Sequence, residues 1–487
     1  MKFLYRSLTS ALISLTGFSC AHQNISHQAQ EPLDATNQSI QKTKEPSKSE
    51  DKTIDISGQT ADIRFFVETL EDAHPNIQHI GKLKYKKLKA ALLKSPSGPV
   101  SRSVFSEKIQ AFLHEFHDGH TTVPPQNPFR IPFEFKLYEN RVFIDRNYSL
   151  NESFEGFDKC EIIAINQEAI SEIIQKRLAL ASYEKEPYGI LYVVKTQLLR
   201  FSDDQPVQLQ LSCKGLPVQK VFTPEPGRIL KFKPEQKPPF EFQLSSNNKI
   251  GILTFRSFQD STYCSQKDCS SLPSMREVVT NAVREMSDRH SQALIIDIRN
   301  NSGGTSRVAE PIYDAITDSP MKDWEIKIKY SKTFLLSDGE HYPNAKPGTM
   351  ISPRLIYGTD GTYKPKPVDK FHGKVILLMN RGTYSSANMF AYSMIDNGLA
   401  ISVGEPPGNG GCKFGDAKFF TLPNSGLTIQ YAHKEFRRPK SELCDQGDPD
   451  LVIDYPFMEK ADDYLAGKDS MLDFVLSSVE KLERQQK

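Results

Sequence analysis

The pattern of apolar and polar positions predicts different structures along the chain. From 61 to 127, apolar residues recur at helical spacing, as at Phe105 and Ile109, which predicts an N-terminal helical segment. From 128 to 240, short apolar runs such as Glu161–Ile165 alternate with turn residues. This second pattern predicts a β-rich middle module.

From 241 to 487, apolar runs alternate with segments of helical spacing. The predicted strands are Ile250–Phe255, Ala293–Ile298, Val375–Met379 and Ile401–Val403, and the predicted helices are Met275–Met286, Arg307–Thr317 and Ala387–Asn397. Continuous apolar strands separated by helices indicate an α/β core whose parallel strands are buried on both faces. In such a core, functional sites form in the loops just past the carboxyl ends of the strands.

Charge and composition exclude several classes of protein. The chain of 487 residues carries 61 Lys and Arg against 60 Asp and Glu, a formal charge of +1. This balance argues against a nucleic-acid partner, because dedicated nucleic-acid binders have a basic excess or a basic stripe. No apolar run approaches the roughly 20 residues of a membrane-spanning helix.

The first residues have the features of an export signal. Lys2 and Arg6 precede a short apolar run that ends at Cys20, which is typical of a secretory signal peptide over 1–20. The end of this run resembles a bacterial lipoprotein signal, which implies a lipid on Cys20; an ordinary cleaved signal is the alternative. The polar stretch 21–60 lacks aromatic residues and predicts a disordered tether. We therefore expect an exported bacterial protein, a periplasmic or outer-membrane lipoprotein whose membrane contact is this anchor alone.

Export would place the remaining cysteines in a compartment where disulfides can form. Six cysteines follow the signal, and an even number in an oxidising compartment favours disulfides over buried free thiols, which are the alternative. Pairing in sequence order is the simplest prediction, and it gives Cys160–Cys213, Cys264–Cys269 and Cys412–Cys444.

Two loops at the ends of predicted core strands carry candidate chemistry. In Arg299–Gly304, the glycines permit positive φ and close backbone approach, so that amides can face a ligand. An oxyanion pocket is the chemical interpretation, and a tight turn is the alternative. In Asn380–Asn388, Ser385 lies where a helix begins, and negative charge is stabilised there. A helix N-cap is the alternative role for this serine.

Together these segments carry a resemblance to a known family. The matching segments are Ile252–Phe255, Leu294–Gly304, Gly382–Ala387, Val403–Glu405, Leu422–Gly426 and, in the helical segment, His117-Asp-Gly-His-Thr121. In this order they resemble the C-terminal-processing (tail-specific) and tricorn-type serine peptidases, over most of 62–454. The resemblance implies a crotonase-like (ClpP/crotonase) spiral core of ββα units. Within the middle module, 158–178 resembles part of a PDZ-type fold.

The resemblance also implies roles for individual residues. Ser385 matches the nucleophile, and His120 matches the general base of the tricorn-type branch. The backbone amide of Gly303 or Gly304 and that of Ser386 match the oxyanion donors. A serine hydroxyl needs such a base to become a good nucleophile, and the oxyanion needs fixed donors.

Two further positions have more than one interpretation. In the tricorn-type branch, the carboxylate that orients the histidine precedes a Gly-x-x-Pro-Asp segment, and here Glu442 or Asp445 takes that place. The tail-specific branch uses a lysine base, for which Lys413 is the nearest candidate. A Ser385–Lys413 dyad is therefore the alternative mechanism.

The histidines also raise the question of a metal. His114, His117 and His120 are three residues apart, but the His-Glu-x-x-His pattern of zinc peptidases is absent. We expect no metal and no cofactor. His74 precedes Pro75 and is predicted to end a helix, with no chemistry assigned to it.

The sequence thus predicts an exported serine endopeptidase that cleaves extended or C-terminal protein segments through an acyl-enzyme. Its partner would be a polypeptide substrate. The alternative is a non-catalytic lipoprotein that binds peptides or other ligands on the same scaffold.

Overall fold

The computed structural model describes residues 52–125, 128–226, 237–263, 269, 271–338, 345–352 and 361–485. The predicted signal peptide, Cys20 and most of the predicted tether lie outside these ranges. The end of the predicted tether is wrong, because a helix already begins at Ile56. Asp55 caps this helix by accepting a hydrogen bond of 2.7 Å from the amide of Gly58, so residues 56–60 are helical.

The N-terminal segment is helical, as its apolar spacing predicts. Its helices are Ile56–Ala73, Lys82–Leu93 and Arg102–His114, and the short strands Thr53–Ile54 and Val100–Ser101 pair beside them. The first helix ends at His74, in agreement with the effect of the following proline. Phe66 and Phe105 are fully buried in a cluster that also contains Tyr431. The helices therefore pack against a strand of the C-terminal half.

The middle module is built on an antiparallel sheet. Its strand order is Leu216–Phe222, Val207–Cys213, Glu161–Ile165, Arg141–Asn147 and Phe133–Tyr138, with Glu168–Ala169 paired beside Glu161–Ile165. The other elements are the helices Ile170–Leu178 and Glu186–Thr196, the turn Glu152–Phe154, and the short strands Phe129–Arg130, Arg200–Phe201 and Glu225–Pro226. The strands and helices share one apolar core, which includes Ile144, Val193 and Leu209.

The core sheet of the C-terminal half is mostly parallel. Its strand order is Phe240–Leu244, Ile250–Phe255, Ala293–Asp297, Lys374–Met379, Ile401–Gly404 and Tyr455–Pro456, and only the first pair is antiparallel. Both faces are buried, because neighbours along a strand belong to different clusters: Ile296 packs with Met275 and Phe390, whereas Ile295 packs with Val475. The helices Met275–Asp288, Glu310–Ile316 and Ser386–Asp396 cover the first face, and Ser470–Ser478 covers the second. The parallel strands predicted from the sequence are confirmed.

A second, antiparallel sheet lies beside this core. Its strand order is Met350–Ile351, Glu325–Lys329, Thr428–Arg437 and Cys412–Thr421. The remaining elements are the strand pair Met321–Lys322 and Thr362–Tyr363, the helices Lys332–Asp338 and Ala461–Leu465, and the turns Ser306–Ala309 and Ser441–Gln446. Within the described ranges, no helix is long and apolar enough to cross a membrane.

The disulfides follow the sequence order that was predicted. Cys160 bonds to Cys213 inside the middle module, and Cys412 bonds to Cys444. Cys264 lies outside the described residues, so its pairing with Cys269 stays a prediction.

Candidate active site

Ser385 lies in a strained turn between a core strand and a core helix. It follows Lys374–Met379 and precedes Ser386–Asp396, with φ 52° and ψ −119°. Such a backbone persists in a residue other than glycine only when its surroundings hold it. Here the Ser385 amide donates to Asn409 Oδ1 at 2.6 Å. Ser385 occupies the N-cap position of this helix, as the alternative interpretation expects, but its hydroxyl makes no capping hydrogen bond to the helix.

His120 lies beside this serine. Its Nε2 is 3.3 Å from Ser385 Oγ, and both side chains are buried. The Gln430 side chain donates to the His120 carbonyl at 3.1 Å, which ties the histidine loop to the strand Thr428–Arg437. The structure therefore brings together the two residues that the motif order pairs, although they are far apart in the sequence.

A buried network fixes the backbone of the histidine loop. Asp118 Oδ1 accepts from the His120 amide at 2.9 Å, and Asp118 Oδ2 accepts from Thr121 Oγ1 at 2.5 Å. The same Oδ2 is 3.2 Å from His74 Nε2, and His74 Nδ1 accepts from the Asn76 amide at 3.1 Å. His74 therefore presents a protonated Nε2 to the carboxylate. The sequence assigned no chemistry to His74, and this contact gives it a structural role.

The electrostatics of this network keep the Asp118 carboxylate charged. Burial is the largest single effect and would raise the pKa of Asp118. The hydrogen bonds from His74 and Thr121, together with the electrostatic attraction of His74 and His120, outweigh it, and the pKa is lowered to about 2. Burial lowers the pKa of His74, which favours its neutral form. The neutral imidazole thus acts as a hydrogen-bond donor to a permanent carboxylate.

The loop Arg299–Gly304 lies against Ser385. A Cβ at Gly303 would lie 2.7 Å from the Ser386 nitrogen, and Gly303 has φ 101°, so only glycine fits. The Gly303 amide donates to Asn301 Oδ1 at 2.8 Å, which removes it as an oxyanion donor. Among the described residues, no acceptor pairs with the amides of Gly304 and Ser386. Of the predicted donors, these two remain available.

Lys413 also contacts Ser385, but at a different atom of the serine than His120 does. Its Nζ donates to the Ser385 carbonyl oxygen at 2.9 Å and to Asn409 Oδ1 at 3.4 Å. The side chain is 4 % exposed, and this burial lowers the pKa of Lys413 to about 7. Since His120 is the residue that contacts Oγ, the geometry favours the histidine over the lysine as the base.

The predicted orienting carboxylates do not reach the histidine. Glu442 and Asp445 are exposed on the turn Ser441–Gln446, and Asp445 forms an ion pair of 2.8 Å with Arg437. Among the residues that the structure describes, none is a hydrogen-bond partner of His120 Nδ1. The assignment of Glu442 or Asp445 is wrong because this turn faces solvent instead of the histidine.

A glutamate of the middle module approaches the histidine instead. Glu184 Oε1 lies 3.8 Å from His120 Nδ1, and Glu184 Oε2 accepts from Tyr384 Oη at 2.9 Å. The Tyr384 ring stacks on His120 with centroids 5.2 Å apart. Sequence reasoning missed Glu184, because it lies in a loop with no motif and reaches the site only through tertiary packing.

The carboxylates around His120 raise the question of a metal again. Asp118, His120 and Glu184 are close enough to hold an ion. However, the Asp118 oxygens already accept hydrogen bonds from His74, Thr121 and the His120 amide, which leaves one imidazole and one carboxylate. Zinc sites in proteins use at least three side-chain ligands, so these residues do not fit one.

The three histidines whose spacing raises the question of zinc do not come together either. His114 Nδ1 bonds to the Ala181 carbonyl at 2.7 Å, and the His114 and His117 rings pack against each other. In the described part of the chain, neither joins His120 in a group that could bind a metal.

The core of the chain matches a known family of peptidases. Residues 249–453 match the family model of peptidase family S41. This is the family that the sequence motifs indicate, and it implies a polypeptide substrate. No curated protein sequence matches the chain.

Solved structures agree on the fold. The chain is similar to mature CPAF, with 13% identity and a TM-score of 0.63, over 88% of this chain and 97% of that one. It is equally similar to mature CPAF complexed with lactacystin, with 13% identity and a TM-score of 0.64, over 88% and 98% of the two chains. At this level of identity the likeness concerns the fold alone.

Proposed function

We propose that the protein is a serine endopeptidase that works through an acyl-enzyme. The observation that carries the proposal is the contact of 3.3 Å between His120 Nε2 and Ser385 Oγ, at a strained turn that begins a helix. A hydroxyl placed in this way, with an imidazole beside it, has the arrangement of an activated nucleophile.

The first half of the reaction follows from this geometry. His120 Nε2 takes the proton of Ser385 Oγ as that oxygen attacks the scissile carbonyl carbon. The amides of Gly304 and Ser386 stabilise the oxyanion, and the N-terminus of the helix Ser386–Asp396 adds to the positive potential. His120 then gives its proton to the leaving amine, and the acyl group stays on Ser385.

Hydrolysis repeats these steps with water. His120 Nε2 takes a proton from a water molecule, which attacks the acyl carbon, and the proton passes to Ser385 Oγ as the ester breaks. Each residue returns to its first state, and no cofactor takes part. Extended or C-terminal segments of proteins are the proposed substrates.

Peptide turnover tests this proposal. The purified chain should cleave a quenched fluorescent peptide library, and Ser385→Ala and His120→Ala should each lower kcat by at least about 10³-fold, because the pair acts as a unit. Ser477 is exposed on the outer side of the helix Ser470–Ser478, so Ser477→Ala serves as a matched control and should keep wild-type turnover. Turnover that survives in Ser385→Ala would contradict the mechanism. Peptide binding without cleavage by the wild type would favour the alternative of a binding lipoprotein.

We further propose that the core is a crotonase-like spiral, that the middle module is PDZ-like, and that a lipid on Cys20 anchors an exported enzyme. The disulfides Cys160–Cys213 and Cys412–Cys444 support export, because such bonds persist in oxidising compartments. Expression with radiolabelled palmitate tests the anchor. The label should enter the wild type and be absent from Cys20→Ala.

A further inference from the structure

We infer that Glu184 is the carboxylate that positions His120, so that the middle module supplies a residue without which the active site is incomplete. This inference rests on the proposed function. It replaces Glu442 and Asp445 with a residue from a different part of the chain.

Two buried polar atoms carry the inference. His120 Nδ1 and Glu184 Oε1 are both buried and lie 3.8 Å apart, and neither has a hydrogen-bond partner in the described part of the chain. Buried polar atoms are almost always paired, so two unpaired atoms that face each other point to a shared contact. Closing the gap to a hydrogen bond of about 3.0 Å takes a movement of about 0.8 Å. Catalytic hydrogen bonds commonly tighten in this way when substrate binds.

The same contact sets the tautomer that the mechanism needs. An N–H at His120 Nδ1 that donates to Glu184 Oε1 leaves the lone pair on Nε2, which faces Ser385 Oγ. The carboxylate also stabilises the imidazolium that forms when Nε2 takes the serine proton. Asp118 cannot do this, because its oxygens are occupied by His74, Thr121 and the His120 amide.

A hydrogen bond from a buried tyrosine holds the Glu184 carboxylate in place. Tyr384 Oη donates to Oε2 at 2.9 Å, and the Tyr384 ring lies between those of His120 and Tyr188, the latter with a centroid distance of 3.9 Å. Burial raises the pKa of Tyr384 well above its usual value, so the phenol stays a donor. A Cβ at Gly119 would overlap Tyr384 Oη and lie 3.0 Å from Glu184 Oε2. The glycine of the His-Asp-Gly-His motif thus makes room for this carboxylate.

The loop that carries Glu184 is fixed to the rest of the molecule on both sides. Before it, the Ala181 carbonyl contacts His114 Nδ1 at 2.7 Å, which joins the loop to the N-terminal helices. After it, Lys185 Nζ donates to the Pro407 carbonyl at 3.2 Å and forms an ion pair of 2.5 Å with Asp450. The position of Glu184 therefore depends on how the middle module docks on the core.

Substitution of this carboxylate tests the inference. Glu184→Gln keeps the shape and removes the charge, and we expect kcat to fall by at least about 10²-fold while KM changes less than about twofold, because the side chain acts on the base and not on the substrate. Glu184→Asp keeps the charge and should recover part of the loss. Glu186→Gln, two residues away on the surface, is the matched control and should keep wild-type kcat.

A second readout does not depend on turnover. In the proton spectrum of the wild type at low temperature, we expect a downfield imidazole N–H resonance that disappears in His120→Ala and shifts upfield in Glu184→Gln. Wild-type kcat in Glu184→Gln, or an unchanged resonance in that variant, would overturn the role of Glu184. If the wild type has no turnover and the resonance still responds to Glu184→Gln, the proposed function fails while the contact stands.

Discussion

Replacing Lys413 with methionine should remove a specific pH dependence of stability. Burial lowers the pKa of this lysine from 10.5 to about 7 in the folded protein. Above pH 7 the unfolded chain therefore holds a proton that the native state has released, and the free energy of unfolding rises with pH. Below pH 7 Lys413 is protonated in both the native and the unfolded state. Its contribution to the free energy of unfolding is then at its lowest value and no longer changes with pH.

The magnitude follows from the size of the shift. The free energy of unfolding rises by about 1.4 kcal/mol per pH unit only above pH 7. Between pH 6 and pH 9 the rise therefore amounts to about 2.7 kcal/mol. Methionine has a similar length and no charge, so Lys413→Met should lack this rise. The Ser385 carbonyl keeps a partner in the variant, because the Met389 amide donates to it at 3.0 Å.

The assay uses an internal probe. Trp324 is the only tryptophan, is fully buried, and its ring centre lies 6.0 Å from Lys413 Nζ. Urea titrations followed by its fluorescence at pH 6 and pH 9 give the free energy of unfolding of this region. Lys87 is exposed, so Lys87→Met is the control, and its free energy of unfolding should rise with pH as much as that of the wild type. An equal rise in the wild type and in Lys413→Met would refute the reasoning.

Further predictions concern other parts of the site. Gly119→Ala should lower kcat on the order of 10²-fold in the turnover assay, because its Cβ pushes Tyr384 and Glu184 out of place; wild-type turnover would contradict the packing argument. Cys444→Ser should lower the free energy of unfolding by about 4 kcal/mol in the urea assay, the loop entropy of the bond to Cys412. Its kcat should fall only as far as the folded fraction falls, and a larger loss would restore a role for that turn in catalysis.

The sequence predicted the parts of the molecule that depend on local pattern. The strand Lys374–Met379 was predicted within one residue at its start, because its side chains are apolar without interruption and both faces of the sheet are buried. The adjacency of Ser385 and His120 was predicted from the order of motifs, which constrain backbone shape as well as chemistry.

What the sequence did not reveal depends on contacts between distant segments. Glu184 is brought to His120 by the docking of the middle module, and nothing in its neighbours marks it. Conversely, Glu442 stands near a family-like segment, but the turn that carries it faces solvent. The glycine-rich loop also made Gly303 a candidate oxyanion donor, but the Asn301 side chain accepts a hydrogen bond from its amide.

The most direct test of the central claim is covalent labelling of the nucleophile. The purified protein is treated with a fluorophosphonate, and the adduct is located by peptide mapping with mass spectrometry. We predict one adduct, on Ser385, that is absent in Ser385→Ala and forms at least about 10²-fold more slowly in His120→Ala, since the imidazole must take the hydroxyl proton. Labelling that persists in Ser385→Ala, or that proceeds at the wild-type rate in His120→Ala, would contradict the Ser–His mechanism.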